Sequence, residues 1–84
     1  MREQDVTLTN DVGLHARPAA VFAKKAGSFP GDVTLVKGDQ EGNAKSILSV
    51  LKLDVRKGDT VTIRCDGPDE EEALAGLIEV IHVL

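Results

Sequence analysis

The chain has little with which to brace itself covalently. Its 84 residues include one cysteine, Cys65, so no internal disulfide can form. The two histidines, His15 and His82, lie far apart, and nothing in the chain has zinc-ligand spacing, so no metal and no cofactor are expected. There is no Trp or Tyr, only Phe22 and Phe29, and 14 acidic residues outnumber 10 basic ones for a formal charge of −4. Gripping nucleic acid calls for basic surface and stacking rings, so nucleic acid is not an expected partner. No apolar run approaches the ~18 residues of a membrane span. The start, Met1-Arg2-Glu3-Gln4-Asp5, lacks the apolar stretch of a secretory leader. These absences, with a single free thiol, lead us to expect a cytoplasmic protein.

What is present must hold the fold by burial alone. Hydrophobic residues make up 42% of the chain, enough for one core, and the length points to one domain over residues 1–84. Residues 5–9, Asp-Val-Thr-Leu-Thr, alternate as a strand with one wet face, and Asn10-Asp11-Val12-Gly13 breaks it. From Ala16 to Ala26 the period lengthens: Ala19, Phe22, Ala23 and Ala26 share one helical face, Pro18 suits the first turn, and Gly27 is the expected stop. Phe29-Pro30-Gly31 turns the chain into a strand over Asp32–Lys37. Residues 38–42 turn again into a short third strand.

Ser46 is placed to cap a short helix carrying Ile47, Leu48, Val50, Leu51 and Leu53. After Lys57-Gly58-Asp59, the segment Thr60–Asp66 is the clearest strand, with Val61, Ile63 and Cys65 on one face. Asp69 is the expected cap of a last helix whose buried stripe is Leu74, Leu77, Ile78 and Ile81. The acidic residues Glu70–Glu72 suit its positive end. The order β-α-β-β-α-β-α, with strands wet on one side, predicts an α+β open-faced sandwich: a four-stranded antiparallel sheet with three helices on one face.

The chemistry is concentrated in Gly13-Leu14-His15-Ala16-Arg17-Pro18-Ala19-Ala20. A helix that starts at Ala16 puts His15 at its N-cap. The first amides of a helix lack internal acceptors and the dipole there favours negative charge, so this end is a natural phosphate cradle. The same field should disfavour imidazolium and leave a nucleophilic lone pair. Arg17 is spaced to meet phosphoryl oxygens. A lone His before a helix is more often a solvated cap, and His15 with Arg17 would not by themselves define a site.

The segment Gly-Leu-His-Ala-Arg-Pro-Ala (13–19) resembles the active-site signature of the histidine-containing phosphocarrier (HPr) family of the bacterial phosphoenolpyruvate-dependent sugar phosphotransferase system. Asn43-Ala44-Lys45-Ser46-Ile47-Leu48 resembles the family's second signature, and residues 67–74 resemble the start of its last helix. The resemblance implies that His15 accepts a phosphoryl group on the ring nitrogen nearer the backbone, with Arg17 and the Ala16 region beside it. It further implies enzyme I as donor, enzyme IIA components as acceptors, and a monomeric stoichiometric carrier rather than an enzyme.

Ala20, Lys24, Leu48 and Leu51 are candidate docking residues, although core packing explains Leu51 better and a solvated face is the default for Lys24. Ser46 has two readings, a helix cap or the target of a serine kinase, which the family implies. Val12 departs from the polar residue often found there in related chains. Ser46–Leu53 and the acidic run before Ala73 also resemble the nitrogen-related branch, which feeds regulatory partners instead of sugar permeases. In other functional classes, the competing readings are a regulatory binding module that has lost relay activity and acts through Ser46, and an α+β nucleic-acid binder; His15 with Arg17 argues against the first, and the composition against the second.

Overall fold

The computed structural model describes residues 1–84. Its elements are β1 (Arg2–Thr7), α1 (Ala16–Gly27), β2 (Asp32–Lys37), β3 (Gln40–Asn43), α2 (Ile47–Lys52), β4 (Thr60–Asp66) and α3 (Glu70–Val83). The four strands form one antiparallel sheet in the order β1-β4-β2-β3. Strand alternation divides the sheet's two faces. Val33, Leu35, Val61, Ile63 and Cys65 are buried with Ala19, Phe22 and Ala26 of α1, Val50 of α2, and Ala73, Leu77 and Ile81 of α3. On the open face, Thr62 Oγ1 donates to Asp5 (2.6 Å), and Arg64 reaches Glu3 (3.0 Å) and Glu41 (3.5 Å) across the strands. The α+β open-faced sandwich expected from the pattern is the observed architecture.

Five details differ from expectation. The first strand begins at Arg2 rather than Asp5 and ends at Thr7, because its pairing with β4 starts at Arg2↔Cys65. Its outer part is polar on both faces, so apolar alternation marks only Val6 and Leu8. Leu8 nevertheless stays in the ladder's extension, exchanging bonds with Asp59 (2.9 Å) and Gly58 (2.7 Å). The third strand starts at Gln40, two residues inside the expected turn, since a tight Gly38-Asp39 corner reverses the chain.

Gly27 is the last helical residue rather than the stop, and Ser28 caps α1 in an ordinary right-handed conformation. Asp69 sits at the N-cap of α3 but is left-handed (φ 61°) and makes no side-chain cap; Glu70 instead accepts from the Gly67 amide (3.1 Å). The buried stripe of α3 is Ala73, Leu77 and Ile81, with Leu74 and Ile78 half-buried at its margin.

Candidate functional site

The site is built by a loop that must turn sharply into α1. Asn10 Nδ2 donates to the Gly13 carbonyl (2.8 Å) and the Gly13 amide donates back to Asn10 O (3.3 Å), closing the turn. Gly13 is left-handed (φ +59°), and a Cβ there would lie 2.3 Å from Val55 O and 2.7 Å from Arg56 Cα. Glycine is therefore required twice over, by conformation and by space. Leu14 buries its side chain and donates its amide to Val55 O (2.9 Å). His15 follows as the N-cap of α1, extended (φ −80°, ψ −168°), with its carbonyl accepting from Ala19 (2.7 Å).

His15 makes no side-chain capping bond and its ring is exposed. The amides of Ala16 and Arg17 have no acceptor within the chain, and Pro18 has no amide to leave unpaired. The opening of α1 thus presents two free N–H groups beside an accessible imidazole, with the exposed Arg17 on the same first turn. The first turn carries no acidic residue to compete for those donors. The arrangement can receive a small anion.

The opposite wall comes from the loop between α2 and β4. Arg56 pairs with Asp54 through Nη2 (2.8 Å) and Nε (3.2 Å), and its own amide donates to Asp59 (2.8 Å). Lys37 on β2 ties this loop down, donating to the carbonyls of Leu53 (3.2 Å) and Asp54 (2.7 Å) and meeting Asp59 at 3.1 Å. The Arg56 hydrogen bond holds the Asp54 carboxyl below the ordinary carboxylate range, and the charges of Arg56, Lys37 and His15 add to it. Asp59 is held low by the Arg56 amide first and by Lys37 second.

Asp54, Arg56 and Lys37 escaped the sequence reading. The available signal was the alternation of buried Leu53 and Val55 with exposed Asp54 and Arg56, which extends past the helix assigned there.

The remaining candidates fall in different places. Ser46 caps α2, accepting from the Ser49 amide at 3.3 Å. Leu48 is 71% exposed on α2, whereas Leu51 is half-buried against the core, as its packing reading anticipated. Ala20 is half-buried and Lys24 exposed on α1. Val12, at 54% exposure, lies on the loop leading to His15. Cys65 is buried, and burial pushes its thiol up. No group of His, Cys, Asp and Glu gathers into a metal site. No helix is long and apolar enough to cross a membrane.

A family model described as the PTS HPr component phosphorylation site matches residues 2–82. Phosphocarrier protein HPr of Mycoplasma genitalium is 42% identical over 78 residues, covering 92% of this chain and 89% of that protein. Among solved structures, HPr from Thermoanaerobacter tengcongensis superposes with a TM-score of 0.95 at 39% identity, covering 98% of this chain and 92% of the other. An HPr dimer from the same organism gives 0.79 at 38% identity, covering 99% and 95%. A match over nearly the whole length, in sequence and in fold, places this chain in the HPr family, the phosphocarriers of the phosphotransferase system.

Proposed function

We propose that His15 accepts a phosphoryl group from phosphorylated enzyme I and passes it to enzyme IIA components in phosphoenolpyruvate-dependent sugar uptake. The supporting observation is the exposed imidazole at the N-cap of α1, beside the unpaired amides of Ala16 and Arg17. In the loading step the lone pair of the His15 ring nitrogen nearer the backbone forms a P–N bond. The donor's P–N bond breaks and its electron pair returns to the donor nitrogen. The acceptor ring loses its remaining N–H proton and the departing donor ring takes one up, so charge is conserved. The amides and the Arg17 guanidinium stabilise the oxygens as charge develops on them. The reverse step unloads the group, so the protein turns over only with its partners and acts as a carrier, not as an enzyme.

Family membership and the exposed apolar side chain of Leu48 support partner docking over α1 and α2, with Ala20, Lys24 and Leu51 at its margin. Ser46 is accessible enough to be the target of a serine kinase, and a phosphate there would add negative charge to that surface. We take the carrier to be a cytoplasmic monomer formed by a single domain spanning 1–84; sedimentation distinguishes it from a dimer.

The test is incubation with phosphoenolpyruvate and enzyme I. One acid-labile phosphate per chain is expected, absent from His15→Ala while the fold persists. A label that survives in His15→Ala, or never forms with a competent enzyme I, overturns the reading.

A further inference from the structure

Two stretches of chain lie against each other at the site. The Leu14 amide bonds to Val55 O, and Gly13 sits directly over Arg56. The stretches therefore run in opposite directions, Gly13 beside Arg56 and Leu14 beside Val55, a course that leads His15 toward Asp54. Leu14 and Val55 are buried together, while His15, Asp54 and Arg56 are all exposed. The loop backbone is fixed from behind by Lys37 and by the bond from the Arg56 amide to Asp59. On this loop the Arg56 side chain is held by Asp54 alone.

We infer that Asp54 and Arg56 form a charge switch for the phosphoryl group: Arg56 is held by Asp54 in the free carrier and moves onto the phosphoryl oxygens when His15 is loaded. The inference rests on the reading of His15 as phosphoryl acceptor. A phosphoryl dianion outbids a single carboxylate for a guanidinium and can be met by two parallel N–H bonds. It also repels Asp54, which weakens the old pair as the new one forms. The charged groups around the ring are Arg17 on α1, Asp54 and Arg56 on the facing loop, Lys37 and Asp59 behind that loop, and the Lys57–Asp11 pair (3.2 Å) at its edge. Lys37 and Asp59 are committed to each other and to backbone, and Lys57 pairs with Asp11 rather than with Asp54. Arg56 is the cation whose partner a phosphoryl group displaces, and it then joins Arg17. Arg56 thereby lowers the phosphoryl-transfer potential of the carrier, and Asp54 raises it.

The measurement is the equilibrium distribution of phosphate between enzyme I and the carrier, which does not depend on how tightly the two proteins dock. Arg56→Gln is expected to shift it toward enzyme I by about two- to fivefold, the range for exposed charge pairs. Asp54→Asn, which keeps a residue tolerant of the left-handed backbone at this position, is expected to shift it toward the carrier by a similar factor. In the intact protein the Arg56 Nε–H resonance should move on phosphorylation, and it should stay still in His15→Ala treated alike. A change in transfer rate with an unchanged equilibrium would make Arg56 a docking residue and overturn the switch. An unmoved Arg56 resonance would also overturn it. Absence of any acid-labile label on the unaltered protein sinks the reading of His15 itself, whereas label with unshifted equilibria sinks only the switch.

Discussion

The amide of Leu14 and the carbonyl of Val55, 2.9 Å apart, join the loop that carries His15 to the loop that follows α2. Both side chains are buried, so this bond lies at the edge of the core and fixes the imidazole through one peptide unit. The site is consequently as rigid as the contact beneath it.

Gly13 makes that contact possible, and its replacement should show it. Gly13→Ala puts a Cβ 2.3 Å from Val55 O in a left-handed conformation, whereas Gly38→Ala, at a similar φ of 58°, meets nothing within 4 Å. We expect Gly38→Ala to cost about 1 kcal/mol, the left-handed penalty alone. Gly13→Ala should cost ~3 kcal/mol or more, with slower loading by enzyme I. Denaturant melts of the two variants test the difference; equal losses would mean that the backbone contact is soft.

Lys37 stabilises the α2–β4 loop from the far side. Lys37→Met keeps the aliphatic stem and removes the bonds to Leu53 O, Asp54 O and Asp59. A loss of ~1–2 kcal/mol is expected from a partly exposed charged donor. Amide exchange should quicken at Leu14, whose acceptor is Val55 O.

Asp54 and Asp59 both titrate below their unfolded range, Asp54 chiefly through Arg56 and Asp59 through the Arg56 amide. A depressed folded-state pKa contributes stability that is present above the unfolded value of about 3.9 and lost as pH falls through the lower native value. Thermal stability should therefore decline below about pH 4. Asp59→Asn should be less stable near neutrality and flatter in acid. A variant whose acid profile parallels the unaltered protein's would show that Asp59 is not part of the effect.

Ser46→Ala removes the cap on a six-residue helix, α2. The capping bond is long, 3.3 Å, so the loss should be near ~0.5–1 kcal/mol. Ser46→Asp retains a capping oxygen and should restore most of it, which separates capping from any effect of charge on transfer to partners.

The sequence made the layers legible because Val33, Leu35, Val61, Ile63 and Cys65 alternate cleanly and Ala19, Phe22, Ala23 and Ala26 keep a helical period. It also made His15 legible as an N-cap, since Gly13 and Pro18 bracket the start of α1. The ends of elements were less readable. Arg2 and Gln4 face the helix side of β1 but are polar, so their strand character lies in pairing with β4. Asp69 has a capping residue's identity without its conformation, because the preceding Gly67-Pro68 corner delivers it left-handed. The Asp54–Arg56 wall was hidden for a different reason. Its relation to His15 crosses about 40 positions of chain and is carried by backbone atoms, which leave no mark on residue identity.

The strand order has a consequence for how the protein matures during synthesis. The second residue of the chain pairs with the sixty-fifth, and β4, one of the two inner strands, is the last strand to be made. A nascent chain on the ribosome has no partner for its N-terminal strand until most of the polypeptide has emerged. His15 is translated early and the loop that faces it late, so a truncated product carries this histidine without the fold that positions it.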